Sequence, residues 1–162
     1  LLVVADDVVV KNAVFDSNNK AAGGQVYAAN NVELENLTFK NSKGSGLNVN
    51  GSTVMADTLV FANNPWGGIE VSQGSDVTEE PKLTATNLSG QEPGLPLVWI
   101  DGKTTNDGWV TIDPVQDDLI VEAKTQLFQA YIHTKEIKQL TKGDHDYESF
   151  EIAGDKLIAL RH

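Results

Sequence analysis

Apolar and polar residues alternate in short bursts along the first hundred residues, and the bursts recur at a nearly fixed interval. Val32 and Leu34, then Leu37 and Phe39, then Leu47 and Val49 fall on one side, with Glu33, Glu35, Thr38 and Asn48 on the other. Alternation with period two predicts strands with one buried face. The next stretch repeats the pattern with Val54 and Ala56, Leu59 and Phe61, Ile69 and Val71. The stretch before it offers Val8 and Val10, Ala13 and Phe15, then, after a two-residue insertion, Val26 and Ala28. Phe15, Phe39 and Phe61 are 24 and then 22 residues apart. Three short strands in such a repeat leave no room for a helix, and the Asn- and Gly-rich segments between them suit tight turns.

A period in the low twenties is the signature of a solenoid, in which each unit buries its apolar face only against its neighbours. A fourth, distorted coil follows, with Val77, Leu83, Leu88, Val98 and Ile100 as inward residues and Leu88 in the place of Phe61. Extra residues surround Glu79, Glu80, Pro81 and Lys82, and others lie at Glu92, Pro93 and Gly94. Insertions in a solenoid often build its binding face; the plain alternative is a surface loop. The segments Leu34-Glu-Asn-Leu-Thr-Phe39-Lys-Asn41 and Asp57-Thr-Leu-Val-Phe61-Ala-Asn-Asn64 are followed by Gly46-Leu-Asn-Val49 and Gly68-Ile-Glu-Val71. In these residues the chain resembles the right-handed parallel β-helix of the pectate-lyase-like superfamily over residues 3–101. Asn41 and Asn63, with Ser17 one coil earlier, resemble its asparagine ladder. Asn64-Pro-Trp-Gly-Gly-Ile-Glu-Val71 resembles a phrase of β-helix modules in secreted bacterial surface proteins. The resemblance implies a secreted or cell-surface location, and it is weak for activity, because one fold carries many functions.

The expected fold is therefore all-β, a solenoid of about four coils over residues 1–101 with a β-rich cap or small appended domain over 102–162. Beyond Asp101 the period is lost, although Trp109–Ile112, Leu119–Glu122, Leu127–Ile132, Phe150–Ile152 and Lys156–Leu160 read as strands. Thr134–Thr141 reads as one or two helical turns. Leu140-Thr-Lys-Gly143, followed by Tyr147, faintly resembles a phrase of immunoglobulin-like X2 modules in bacterial extracellular proteins.

Composition narrows the partners. The net charge is −11, from 23 acidic and 12 basic residues. Acidity of this kind repels phosphate backbones and argues against nucleic acid. The chain has no cysteine, so it builds neither disulfides nor thiolate metal sites. No apolar run is long enough for a transmembrane helix, which argues against membrane insertion. The start at Leu1-Leu-Val-Val4, without methionine, points to a processed or excised piece of a longer protein.

Catalytic sets are hard to assemble. An eliminase of this superfamily needs a cation and a basic residue facing it, yet Arg161 is the single arginine and sits in the tail. A glycoside hydrolase needs paired carboxylates. Glu35 and Asp57 occupy equivalent places in successive coils and would stack about 4.8 Å apart. Their column reads Lys11, Glu35, Asp57, Thr84, so the pair is either an acid pair or an ordinary solvated row. His133, His145 and His162 all lie in the C-terminal part and form no serine-histidine-acid set. No cofactor is implied, although Asp144, Asp146 and Glu148 alternate oxygen ligands and Ca²⁺ is conceivable there.

Sugar or protein binding has better support. Tyr27 lies beside inward Val26, and Trp99 lies between inward Val98 and Ile100, so both should point outward. Trp66 follows Pro65 in a turn. Outward aromatics on neighbouring coils would make a stacking platform for a polysaccharide; the alternative is that Trp66 folds over its turn and Trp99 packs under the C-terminal region. Asn36, Asn50 and Asn87 head the three Asn-X-Ser/Thr sequons. The reading is a non-catalytic β-helix module, adhesin-like or a binder of glycan or a cell-surface protein; the alternative is a piece of a polysaccharide hydrolase or lyase.

Overall fold

The computed structural model describes residues 1–74, 76–90, 96–101 and 108–113 in full, and the backbone of the strands between 120 and 161. Among these residues every regular element is a strand. Two compact units are present, Leu1–Glu122 and Ala123–His162.

In the first unit the chain winds as a parallel β-solenoid of about four coils. One face is a six-stranded parallel sheet of short strands: β1 (Leu2–Val3), β3 (Gly24–Tyr27), β5 (Leu47–Asn50), β7 (Ile69–Ser72), β9 (Val98–Asp101) and β11 (Ile120–Glu122). The other is a five-stranded parallel sheet of mostly longer strands: β2 (Val9–Asp16), β4 (Val32–Lys40), β6 (Thr53–Ala62), β8 (Lys82–Ser89) and β10 (Val110–Asp113). Parallel pairing thus runs past Asp101, where the sequence repeat fades, because β10 and β11 still pair in register with β8 and β9.

Each coil carries two strands instead of the three expected. The two apolar bursts around Phe39 belong to the single strand β4, which bends at Asn36, where pairing skips one residue and resumes in the same register. The bend is a left-handed residue at the same place in each coil: Asn12, Asn36, Thr58 and Asn87 have φ of 56°, 51°, 56° and 56°. Asparagine tolerates that conformation because its short side chain bonds locally, and Thr58 is the costlier occupant. The amides also tie coils together, with Asn36 donating to Asn12 Oδ1 at 2.8 Å.

The core runs between the two sheets. Phe39 and Phe61 are fully buried, as are Leu37, Leu59, Val49 and Val71. The phenylalanines stack along the solenoid axis, Phe15 on Phe39 at 5.2 Å and Phe39 on Phe61 at 5.8 Å between ring centroids. At the next turn Asn63 donates to Asn41 at 3.0 Å, and Asn41 donates to Asp16 at 2.9 Å. The ladder therefore ends on Asp16, while Ser17, its expected first member, donates to the Ala22 carbonyl. A second rung lies inside: fully buried Asn64 donates to the Phe39 carbonyl at 3.1 Å and accepts from the Ser42 amide.

The fourth coil is offset differently from the expectation. Leu88 pairs with Leu59, an offset of 29 residues, so it does not take the place of Phe61. The same offset brings Gly90 beside Phe61, and the phenylalanine stack ends there for want of a fourth ring to lay on it. Val77 also leaves the core and packs beside Gly51 in the insertion loop.

The second unit holds two antiparallel hairpin pairings, β12 (Phe128–Tyr131) with β13 (Glu136–Gln139), and β14 (Tyr147–Ala153) with β15 (Lys156–Arg161). The segment expected to be helical is in part strand β13, held by ladder bonds from Phe128–Tyr131; pairing overrides a weak local helical preference. The oxygen-rich Asp144–Asp146 and most of the X2-like phrase lie outside the described residues.

Candidate ligand-binding groove

Strand alternation gives the short-strand sheet its outer face. Val26, Val49, Val71 and Val98 point inward and are fully buried, which turns their neighbours out. Two outward columns result. Gln25, Asn48, Glu70 and Trp99 follow one another in register, and beside them run Tyr27, Asn50, Ser72 and Asp101. From β3 to β9 the face spans about 14 Å, three strand spacings.

This face is sunken. Asn50 and Ser72 point outward yet are only 7% and 9% exposed. The insertion after β7 folds along its edge and closes on itself by a bond from Gln73 to the Thr78 carbonyl at 3.1 Å. Gly74 needs a left-handed φ of 84° there, and a side chain on it would press on Asn50 and approach the Tyr27 ring. The result is a groove of about 470 Å³ with Asn48, Glu70 and Asp101 among its lining and Tyr27 and Trp109 contributing aromatic surface. That volume suits a small-molecule or oligomer subsite.

The polar groups of the groove are partly spent on one another. Gln25 donates to Asn50 Oδ1 at 3.0 Å, and Asn50 donates to Ser72 Oγ at 2.7 Å. Trp99 Nε1 donates to Ser45 Oγ at 3.1 Å, and Ser45 in turn bonds the Glu70 carboxylate. Asn48 Oδ1 is buried and meets no donor among the described residues. Such an atom carries a desolvation cost that a ligand donor would relieve after a side-chain rotation. Burial, and then the neighbouring negative charge of Asp101, push the Glu70 carboxyl above its ordinary range.

A raised carboxyl pKa has a definite linkage sign. Glu70 costs the folded state nothing below its ordinary pKa, and the cost appears as pH rises through the raised value. Replacing Glu70 with Gln is therefore expected to raise the thermal unfolding midpoint at pH 7 and to leave it unchanged at pH 4. Melting curves at the two pH values check this; a lower midpoint at pH 7 would contradict it.

The aromatic candidates divide. Tyr27 lines the groove. Trp99 points outward as the alternation predicts, but three strands away from Tyr27. Trp66 is 61% exposed and lies over Gly44, next to the Ser45 that Trp99 bonds. Trp66 and Trp99 thus share the Gly44–Ser45 turn, whereas Tyr27 belongs with Trp109. Trp109, only 6% exposed, and Asp101 were missed as site residues. Asp101 shares the outward alternation of Trp99 and was within reach of the same reading, whereas nothing periodic marks Trp109.

Glu35 and Asp57 do pair across β4 and β6 as the register predicts. They lie on the long-strand sheet, not in the groove. Glu35 is ion-paired with Lys11. Asp57 accepts from the Thr86 and Asn87 side chains and from Thr58, which together hold its carboxyl below the ordinary carboxylate range. The fourth member of this column is Thr86, not Thr84, which pairs with Met55, because the insertion sets the offset at 29 residues. Both carboxylates are engaged by neighbouring side chains. The sequon amides are engaged too: Asn36 donates to Asn12, Asn50 to Ser72 and Asn87 to Asp57.

Comparison with known proteins adds little to this geometry. No family model matches the chain, and no solved structure matches it. A 41-residue stretch, 25% of the chain, is 42% identical to dipeptidyl-peptidase 5 of Porphyromonas gingivalis. That stretch spans 6% of the peptidase, so the likeness is to a small piece of it.

Proposed function

We propose that the chain is a non-catalytic β-helix module of the pectate-lyase-like, right-handed type, carried by a bacterial extracellular or cell-surface protein. Its adhesin-like role is to bind glycan along the outer face of the short-strand sheet. The observation that carries this reading is the sunken polar groove itself, with amide and carboxylate side chains beside the Tyr27 ring. Planar polar groups and an aromatic face are what a sugar's hydroxyls and apolar ring face require. The rigid stack of coils favours such a role, since it presents a preformed surface at little cost in ordering.

The enzymatic alternative placed its acid pair at Glu35 and Asp57. Lys11 on one and three donors on the other favour a structural row at that place. Incubation with a panel of neutral and acidic polysaccharides, with Ca²⁺ present, separates the readings. The expected result is retention of the protein on at least one polysaccharide, with no oligosaccharide released. Retention is expected to fall about tenfold in Asn48→Ala and Tyr27→Ala variants. Released products would favour the enzyme, and a panel that neither retains the protein nor is cleaved would remove the glycan reading.

A further inference from the structure

The groove is unbalanced in charge, and the imbalance names a class of ligand. The side-chain amide donors of Gln25 and Asn50 are turned on protein acceptors. What the groove offers in charge is negative alone: the Glu70 and Asp101 carboxylates line it, while the orphaned Asn48 carbonyl lies buried beneath. No lysine, arginine or histidine is among the described residues that line the groove. The two carboxylates lie on adjacent strands and diagonally, two residues out of register, since Glu70 pairs with Trp99 and Ser72 with Asp101. They are close enough to repel one another and have no protein cation between them. Elsewhere on the solenoid two carboxylates are paired with lysines, Glu35 with Lys11 and Asp16 with Lys40.

We propose that the groove selects a glycan bearing protonated amines, that is, a polymer of non-acetylated amino sugars, with an ammonium group held between Glu70 and Asp101. This inference rests on the glycan reading of the same groove and adds the chemistry of the sugar. An ammonium brings up to three donors and no acceptor, the complement of two carboxylates. Charge-assisted bonds to two carboxylates are stronger than neutral ones, and a part-buried site screens them less than open solvent does. Tyr27 and Trp109 supply ring surface that a cation also favours. The overall charge of −11 draws such a ligand from a distance. An N-acetyl group at the same place loses the charge and with it the charge-assisted bonds to both carboxylates.

The test is calorimetric titration of the whole chain with three oligomers of equal length: glucosamine, N-acetylglucosamine and glucose. Glucosamine oligomers are expected to bind about tenfold more tightly than the other two. In a Glu70→Gln, Asp101→Asn variant that preference is expected to vanish. A Glu33→Gln, Glu35→Gln variant, which removes the same charge from the other sheet, is expected to keep it. Melting curves confirm that both variants fold. Equal binding of all three oligomers would overturn the amine inference and leave the glycan reading standing. A preference that disappears equally in both variants would reduce it to bulk charge attraction, and so overturn it. Failure of every sugar, with a lysine-rich peptide binding in a Glu70-dependent way, would overturn both the inference and the glycan reading.

Discussion

Truncating Phe39 to alanine is expected to cost about 3–5 kcal/mol, a large share of what a domain of this size has to lose. The ring is fully buried and lies between Phe15 and Phe61 in the axial stack. Its removal forfeits the transfer energy of the side chain, opens a cavity between coils that are fixed by their backbone ladders, and breaks both ring contacts at once. The ladders on either side limit collapse into the void, which favours the upper part of the range. A Leu replacement refills much of the volume without the stacking, and should recover more than half of the loss. Chemical denaturation monitored by circular dichroism measures both variants. A Phe39→Ala protein within about 1 kcal/mol of the parent would contradict the central place given to the stack.

The second large effect is at Gly68. A Cβ there would stand 2.4 Å from the Leu97 carbonyl oxygen and 3.2 Å from the Phe61 ring. Both neighbours are structural: the Leu97 carbonyl accepts from the Ile69 amide at 2.8 Å, which begins the β7–β9 ladder. Backbone cannot yield as a side-chain tip can, so the ladder must shift or the strand must rotate. Gly23 and Gly46 hold the same place in the preceding coils, and a Cβ on Gly23 would meet the Gly46 carbonyl at 1.9 Å. Gly68→Ala is therefore expected to destabilise by about 3 kcal/mol, the upper end for an overpacked site. Gly44→Ala is the control, because its new atom would meet only the movable Trp66 ring at 3.3 Å. Equal melting midpoints for the two variants would mean that the glycine column is not set by close packing of backbone.

Much of this fold was legible in the residues because a solenoid writes its register into its repeat. The columns Phe15–Phe39–Phe61 and Glu35–Asp57 follow from counting alone, as does the outward direction of Tyr27 and Trp99. The left-handed bend at Asn36 was not legible, since a bent strand and two short strands produce the same alternation. Thr58 in that column hides the asparagine pattern further. The fourth coil misled for a related reason. Its apolar residues are generic, so Leu88 matched Phe61 as well as it matched Leu59, and only backbone pairing decides between offsets of 27 and 29. That small shift replaces Thr84 by Thr86 beside Asp57. The groove was the least legible part. Glu70 lies between inward Ile69 and Val71, and Asp101 follows inward Ile100, so alternation turns both acids outward, but the aromatic surface of Trp109 joins them from beyond the last regular repeat. Nor does composition reveal that Gln25 spends its donor on Asn50, and Asn50 its own on Ser72.

The central claim is that ligand binds on the outer face of the short-strand sheet. It is tested most directly by residue-resolved NMR of the isotope-labelled protein, titrated with a polysaccharide that retains it. The account predicts shifts concentrated at Gln25, Asn48, Asn50 and Glu70, including the side-chain amides, with the Lys11–Glu35–Asp57 column unchanged. Shifts confined to that column, or spread evenly over both sheets, would contradict it.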